Sequence, residues 1–199
     1  MGFKILKSGI TRRWVINIFT IVFVTICVLI VAGSLAVRGY YVSSARQTLM
    51  NKAESDGAYF ENFYTKEPDL IESVRTYVED YAQKDRIELM VANSVGRVTL
   101  TSSGFASDTD YPDDVMAALA SDTGSFVGSN SYGENVIAVS RSVKVGDKVA
   151  CVLRYVISMR GIQGRVLSVI LLLSGFGILL LLACYFSGRY FVKSTSVIS

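Results

Sequence analysis

Histidine is absent from the 199 residues, and only three cysteines and two prolines are present. Without histidine, these residues cannot form a Ser-His-Asp or Cys-His triad, a His-based zinc site or a phosphoacceptor histidine. Cys27 and Cys184 lie inside two long apolar runs, so Cys151 has no disulfide partner in the region between them. There is also no Asn-x-Ser/Thr glycosylation site. These absences exclude a disulfide-stapled module and make an enzymatic function the least favoured reading of these residues.

Acidic residues are missing from both ends of the chain, because all 17 lie between residues 54 and 147. Residues 14–37 and 166–188 contain no charge of either sign. Each run exceeds the roughly 20 apolar residues needed to cross a hydrocarbon core of about 30 Å. The sequence therefore predicts two transmembrane helices, at 14–37 and 166–188, that flank a mildly acidic segment, 38–165, of about the usual size for one domain.

The basic residues at the ends predict an orientation. Residues 1–13 contain Lys4, Lys7, Arg12 and Arg13, and such clusters tend to stay in the cytoplasm. We therefore expect a two-pass protein of the plasma membrane, with residues 1–13 and 189–199 in the cytoplasm and 38–165 outside. The alternative is a cleaved signal peptide that ends at Ser34-Leu35-Ala36, but the apolar run is longer than such peptides use.

The pattern between the two runs predicts an α+β domain. Apolar residues recur at helical spacing over 40–64 and over 68–82, where Pro68 suits a first helical position. Alternating patterns then predict five strands, with a short helix after the second strand. We expect the strands at 87–92, 97–102, 125–131, 135–143 and 148–158, and the helix at 112–120. Runs of this kind favour one antiparallel sheet of about five strands with helices packed against it.

Several short motifs give the segment a family resemblance. They are Asn93-Ser-Val-Gly96 at a turn, a strand that ends in Thr101-Ser102-Ser103, Gly124-Ser-Phe-Val127, Val136-Ile-Ala-Val-Ser-Arg-Ser-Val143 followed by Gly146, and Val152-Leu-Arg-Tyr-Val-Ile-Ser158. Together they resemble the extracytoplasmic PAS-like, or Cache, sensor domains of bacterial transmembrane receptors. The resemblance is strongest to sensor histidine kinases of the Gram-positive type. It departs at Ser142, where such domains often have proline.

The resemblance implies the sensor and transmembrane portion of a two-component histidine kinase, which detects an extracellular signal and transmits it through the second transmembrane helix. Residues 189–199 are similar to the start of a HAMP linker, although the proline expected there is absent. The output half, with its ATP and Mg²⁺, would follow and would act on a response regulator. These residues themselves imply no cofactor and no nucleic-acid partner. The resemblance further implies a parallel homodimer and a small-molecule or envelope signal.

In the resembled family, a ligand lies over one face of the sheet. Mapped onto this sequence, the candidate ligand-binding residues are Arg141, Ser140, Arg154, Tyr132 and Thr101. A guanidinium group there would suit a carboxylate or phosphate through two parallel hydrogen bonds. The alternative is that both arginines lie on the solvated face of the sheet and pair with acidic side chains. Strand alternation predicts Cys151, Leu153 and Tyr155 on one face of the last strand, and Val152 and Arg154 on the other.

An acidic cluster is the weaker candidate site. Asp108, Asp110, Asp113 and Asp114 supply the oxygen ligands that Ca²⁺ or Mg²⁺ prefers, but without the glycine and closing glutamate of an EF-hand. The alternative is a solvated loop followed by acidic residues in the first turn of a helix.

Three other functions fit parts of the pattern. A chemoreceptor or a diguanylate cyclase would share this sensor half, and only residues after Ser199 would distinguish them. A non-signalling envelope protein-interaction module would have the same outer domain without an output half.

Overall fold

The computed structural model describes residues 3–104, 111–130 and 132–197, with the backbone alone for 3–12, 14, 15 and 188–197. Four helices and five strands are described. The helices are α1 (Phe3–Phe63), α2 (Glu67–Glu79), α3 (Asp113–Ser121) and α4 (Arg160–Val197). The strands are β1 (Glu88–Asn93), β2 (Val98–Thr101), β3 (Thr123–Ser129), β4 (Asn135–Val145) and β5 (Lys148–Ser158).

The chain divides into two compact units. One is Tyr40–Ile162, and the other combines Met1–Gly39 with Gln163–Ser199. The second unit consists of the N-terminal part of α1 and most of α4. Its helices pack closely, since a Cβ atom added at Gly33 would lie 3.3 Å from Leu173 and one added at Gly177 would lie 2.7 Å from Ile26. By length and composition, the structure has two helices able to cross a membrane.

The unit Tyr40–Ile162 is built on one antiparallel sheet in the order β2-β1-β5-β4-β3. β4 and β5 form a long hairpin whose turn contains Gly146, at φ +63°, a conformation that glycine adopts without steric cost. β5 also pairs with β1, so it is the central strand of the sheet. The predicted α+β class and the five antiparallel strands are confirmed.

The two faces of the sheet are covered by different helices. One face packs against α1 and α2 through a cluster that includes Leu49, Phe60, Leu70, Leu153 and Tyr155. The other face packs against α3 through Val115 and Ala118, which contact Ala92 and Val152. The predicted alternation along β5 is confirmed, because Cys151, Leu153 and Tyr155 belong to the first cluster and Val152 to the second.

Local sequence signals account for the helix positions. α2 begins with Pro at its first turn and with acidic Glu67 and Asp69, which favour the positive end of the helix dipole. Its buried residues, Leu70, Val74 and Val78, recur every four positions and form the stripe that faces the sheet. α1 extends without interruption from Phe3 to Phe63.

Candidate functional site

Arg154 and Tyr155 are neighbours in β5, and each forms polar contacts with a helix on a different face of the sheet. Consecutive strand residues point to opposite faces, so Arg154 faces α3 and Tyr155 faces α1 and α2. Both side chains are almost fully buried. Buried polar groups of this kind require hydrogen-bond partners, and each of these side chains has a carboxylate from a different helix.

On the α3 face, Arg154 forms a buried ion pair with Asp114. Nε of Arg154 donates to Oδ2 of Asp114 at 2.9 Å, and Nη2 donates to Oδ1 at 3.1 Å. Ser140 on β4 donates its hydroxyl to the same Oδ2 at 2.6 Å. The side chains of Arg154 and Asp114 are only 5% and 1% exposed. In this geometry both carboxylate oxygens of Asp114 accept hydrogen bonds, and α3 is held to β4 and β5.

Gly124 allows α3 to lie this close to the sheet. A Cβ atom at position 124 would lie 1.9 Å from the carbonyl oxygen of Asp114, which is a clash with backbone. Gly124 is paired with Ser140 in the β3–β4 register. The absence of a side chain at Gly124 therefore brings the first turn of α3 to Ser140, and the carboxylate of Asp114 to Arg154.

On the opposite face, the carboxylate of Asp56 on α1 is the centre of a second polar group. Tyr155 donates its hydroxyl to Oδ2 of Asp56 at 2.5 Å, and Tyr77 on α2 donates to the same atom at 2.8 Å. Lys52 lies one turn earlier on α1, with Nζ 3.3 Å from Oδ2. Asp56 therefore joins α1, α2 and β5 at one point.

The tyrosines of this group resist ionisation. Burial and the hydrogen bond to Asp56 raise the pKa of Tyr155 and of Tyr77 well above the usual value for tyrosine. Burial, with the nearby charge of Asp56, raises the pKa of Tyr81 to about 12. Tyr81 Oη has no hydrogen-bond partner among the described residues, although Nζ of Lys52 lies 5.4 Å from the centre of the ring.

Arg141 also lies on the α1 face, and two glutamates of α1 hold it. Its Nε donates to Glu54 at 3.0 Å and its Nη2 donates to Glu61 at 3.2 Å. Gly57, one helical turn from each glutamate, leaves room for the guanidinium group. Burial acts to lower the pKa of Arg141, but hydrogen bonds to Glu61 and Glu54 outweigh it and raise the pKa.

The structure separates the five candidate ligand residues. Ser140 and Arg154 come together at Asp114, whereas Arg141 lies on the other face of the sheet. Thr101, opposite Met90 in the β1–β2 register, donates its hydroxyl to Glu88 at 2.8 Å. Tyr132 is exposed in the turn between β3 and β4. Both arginines pair with acidic side chains, as the alternative expected, but Arg154 is buried and not on a solvated face. Ligand contact at any of the five stays a prediction.

The acidic cluster is described only in part. Asp108 and Asp110 lie outside the described residues, Asp113 is exposed, and Asp114 pairs with Arg154. Among the described residues, no group of three or more His, Cys, Asp or Glu side chains is placed to hold a metal ion. Cys151 is buried against the α1 face, and burial raises the pKa of its thiol to about 12, so it is a poor nucleophile.

Sequence reasoning did not identify Asp56, nor Asp114 as the partner of Arg154. A signal for Asp56 was present, because it falls on the buried stripe of α1 with Leu49, Ala53 and Phe60. A carboxylate on such a stripe needs a buried donor. Asp114 carried no such signal, since acidic residues in the first turn of a helix are ordinarily solvated.

The connection from β5 to α4 is one residue long. Ser158 ends the strand, Arg160 begins α4, and Met159 between them is buried in the core. Glu134 accepts a hydrogen bond from Ser158 at 2.6 Å and pairs with Arg160 at 3.0 Å. The amide of Met159 donates to the carbonyl of Asn135 at 2.8 Å. The last strand and the first turn of α4 are thus held to the start of β4.

Solved structures with a similar fold include two from one chemoreceptor. The sensory domain of the Campylobacter jejuni chemoreceptor Tlp3 matches with a TM-score of 0.53 and 20% identity, over 73% of this chain and 66% of that chain. The ligand-binding domain of the same receptor, in complex with 4-methylisoleucine, matches with a TM-score of 0.51 and 17% identity, over 72% and 62%. The chain therefore spans less than two thirds of the length of these domains.

Other comparisons add little. The sensor domain of Escherichia coli DcuS matches with a TM-score of 0.35 and 12% identity, over 62% of this chain and 95% of that chain, a score too low to indicate a shared fold. No protein-family model and no curated protein matches the sequence. The Tlp3 matches show that this chain shares the fold of those domains.

Proposed function

We propose that this chain is the sensor and transmembrane portion of a bacterial membrane receptor. The observation that carries the proposal is the one-residue connection between β5, the central strand of a sensor-type fold, and the apolar helix α4. Because only one residue separates the two elements, a displacement of β5 would be transmitted directly to the first turn of α4. The fold shared with a chemoreceptor domain supports the same function.

In this proposal, both apolar helices cross the plasma membrane. Residues 1–13 and 189–199 lie in the cytoplasm, and 38–165 lie outside the cell. The two helices have the length and composition that a bilayer requires. Basic residues at positions 4, 7, 12 and 13, with none acidic nearby, favour a cytoplasmic N-terminus.

In this proposal, the signal would weaken the contact between α3 and β5. Asp114 occupies the guanidinium fork of Arg154 in the way that a ligand carboxylate would. A small carboxylate that binds near Ser140 and Arg154 would therefore compete with Asp114 and loosen α3. Because Arg154 and Tyr155 are adjacent, movement of Arg154 would also alter the contact of Tyr155 with Asp56 on α1. Any such ligand must bind the two arrangements with different affinity.

The output domain would follow α4 in the same polypeptide. We propose a histidine kinase that uses ATP and Mg²⁺, works as a parallel homodimer and acts on a response regulator. A chemoreceptor is the second candidate, favoured by the likeness to Tlp3. The DNA sequence that follows codon 199 separates the two. A HAMP linker, a histidine-bearing helix and an ATP-binding domain are expected, whereas a long coiled coil without them would indicate the chemoreceptor.

The signalling role itself can be tested with residues 1–199 fused to the output half of a characterised histidine kinase whose activity controls a reporter gene. Asp114→Asn is expected to change basal reporter activity several-fold, because it removes the charge that holds Arg154. Asp113→Asn, an exposed neighbour in the same helical turn, is the control and should leave activity unchanged. Equal activity of both variants and the parent, at equal expression, would contradict the proposed route through α3.

A further inference from the structure

We infer that the polar cluster on the α1 face of the sheet is a binding site for the primary ammonium group of a small amine. This cluster, the amine site, consists of Lys52 and Asp56 on α1, Tyr77 on α2, Tyr81 just after α2, and Tyr155 on β5. All five residues belong to the unit Tyr40–Ile162 and lie on the face opposite Arg154. The site is therefore independent of the membrane placement and of the proposed carboxylate site.

A lysine of the chain itself indicates which chemical group the site accepts. Nζ of Lys52 lies 3.3 Å from Oδ2 of Asp56. The same nitrogen lies 5.4 Å from the ring centre of Tyr81 and 5.8 Å from that of Tyr155. A carboxylate and two aromatic rings at such distances attract an ammonium group through charge-assisted hydrogen bonding and cation–π contact. A free amine in the position of Nζ would make the same contacts.

The carboxylate of Asp56 is held in place by groups other than Lys52. Tyr155 and Tyr77 donate their hydroxyls to Oδ2 at 2.5 and 2.8 Å. These donors come from β5 and α2, so the carboxylate keeps its position when the lysine ammonium leaves. The second oxygen, Oδ1, accepts no hydrogen bond from the part of the chain that the structure describes. It is therefore free to accept one from a ligand.

Tyr81 contributes a buried hydroxyl that has no partner in the protein. The residue is 4% exposed, and its Oη forms no hydrogen bond with any described residue. Its ring packs against the rings of Tyr77 and Tyr155, with centres 5.8 and 6.4 Å apart. A buried polar atom without a partner costs free energy, which a ligand with N–H donors would recover. An ammonium group has three such donors, and more than one oxygen of this site is free to accept.

Lys52 can leave the site because the site is partly open to solvent. The side chains of Lys52 and Asp56 are 24% and 18% exposed. Their contact joins positions i and i+4 of one helix, a weak class of ion pair, and a lysine ammonium is strongly hydrated once it reaches water. Lys52 is thus an internal occupant that a free amine replaces. The ligand is a primary amine with a short apolar body, which takes the place of the lysine stem.

The test titrates n-butylammonium chloride into the full chain in detergent micelles. The dissociation constant is measured from the ring signals of ¹³C-labelled tyrosine by nuclear magnetic resonance. We expect binding to wild type in the millimolar range and about tenfold tighter binding to Lys52→Ala, because the competing ammonium group is gone. Lys84→Ala removes an exposed lysine from the loop after α2 and is the matched control, so it should bind as wild type does.

Two variants and one analogue identify the atoms that bind. Asp56→Asn, added to Lys52→Ala, should weaken binding of n-butylammonium about tenfold, because the charge-assisted hydrogen bond is lost. Tyr81→Phe should weaken it about threefold without lowering the melting temperature, since only an unpartnered hydroxyl is removed. Tetramethylammonium chloride carries the charge but no N–H donor, and should bind about tenfold more weakly than n-butylammonium.

Three outcomes of the titration would overturn the inference. Equal dissociation constants in Lys52→Ala with and without Asp56→Asn would show that the amine binds elsewhere. Equal dissociation constants in wild type and Lys52→Ala would show that Lys52 does not compete. Binding to Lys52→Ala with none to wild type would make Lys52 a permanent occupant of the site.

Melting temperature provides a second measurement in case Lys52→Ala folds poorly. With n-butylammonium at the wild-type dissociation constant, about ten times that of the variant, the melting temperature of Lys52→Ala should rise by about 5 °C. The reference is the same variant in sodium chloride of equal concentration. No rise beyond that reference would overturn the inference.

Discussion

Arg154 and Tyr155 are neighbours in β5, yet the two faces of the sheet hold them with different chemistry. On the α3 face, a guanidinium and a carboxylate, both buried, neutralise each other. On the α1 face, the carboxylate of Asp56 receives neutral tyrosine hydroxyls, and the ammonium group of Lys52 remains partly exposed. The ion pair on the α3 face is stable only when both charges are present. On the α1 face, Asp56 can lose one hydrogen-bond donor and still keep the others.

The comparison predicts unequal consequences for changes at the two faces. Loss of one member of a buried ion pair leaves a charge in a low-dielectric interior, which costs far more than the loss of one neutral hydrogen bond. The changes below are ordered by expected effect. Unless another measurement is named, the free energy of unfolding is measured by urea titration in detergent micelles, with near-ultraviolet circular dichroism of the buried tyrosines as the signal.

Asp114→Ala should have the largest effect, a loss of about 3 to 5 kcal/mol in the free energy of unfolding. The reason is that Arg154 loses, in a buried site, the carboxylate to which it donates two hydrogen bonds. Asp113→Ala is the matched control and should cost no more than about 1 kcal/mol, the value of an exposed acid at a helix N-terminus. Equal losses in the two variants would show that the ion pair contributes nothing beyond the helix dipole.

Gly124→Ala and Gly57→Ala test the two places where a helix and the sheet approach each other closely at a glycine, one on each face. The added methyl group at 124 meets the backbone of α3, so we expect a loss of about 2 to 3 kcal/mol. At 57 it meets only the end of the Arg141 side chain, which can move away, and alanine favours the helix by about 1 kcal/mol. Gly57→Ala should thus stay within about 1 kcal/mol of wild type. The reverse order would contradict the described packing.

Stability should fall as pH rises above the usual tyrosine range. The raised pKa values of Tyr77, Tyr81 and Tyr155 mean that the folded state keeps protons that the unfolded state releases from about pH 10 upward. Each such group adds a slope of about 1.4 kcal/mol per pH unit in that window. Tyr155→Phe should flatten the slope by about one such increment, and an unchanged slope would argue against the burial of Tyr155.

Tyr155→Phe and Tyr81→Phe at neutral pH should give the smallest effects. Tyr155→Phe removes one donor to Asp56, which keeps Tyr77 and Lys52, so the expected loss is about 1 kcal/mol. Tyr81→Phe removes a buried hydroxyl that has no partner among the described residues, and should be neutral or slightly stabilising. A larger loss for Tyr81→Phe than for Tyr155→Phe would reverse the assigned roles.

Local pattern in the sequence determined much of the architecture. Two uncharged runs, two helical stripes and five alternating segments are properties of consecutive residues, and the helices and strands form near those positions. Alternation also assigned Arg154 and Tyr155 to opposite faces, since the side-chain period of a strand is two. The ends of the elements shifted by a few residues, as in α2, which ends at Glu79 rather than at 82.

Tertiary structure decided which charges that are distant in the sequence meet. Asp114 and Arg154 are 40 positions apart, and Asp56 and Tyr155 are 99 apart. No local period relates such residues, because their contact depends on where α1 and α3 pack against the sheet. The packing also placed Arg141 with Glu54 and Glu61 on the face opposite Arg154. The sequence therefore determined which side chains each element presents, and the arrangement of the layers determined their partners.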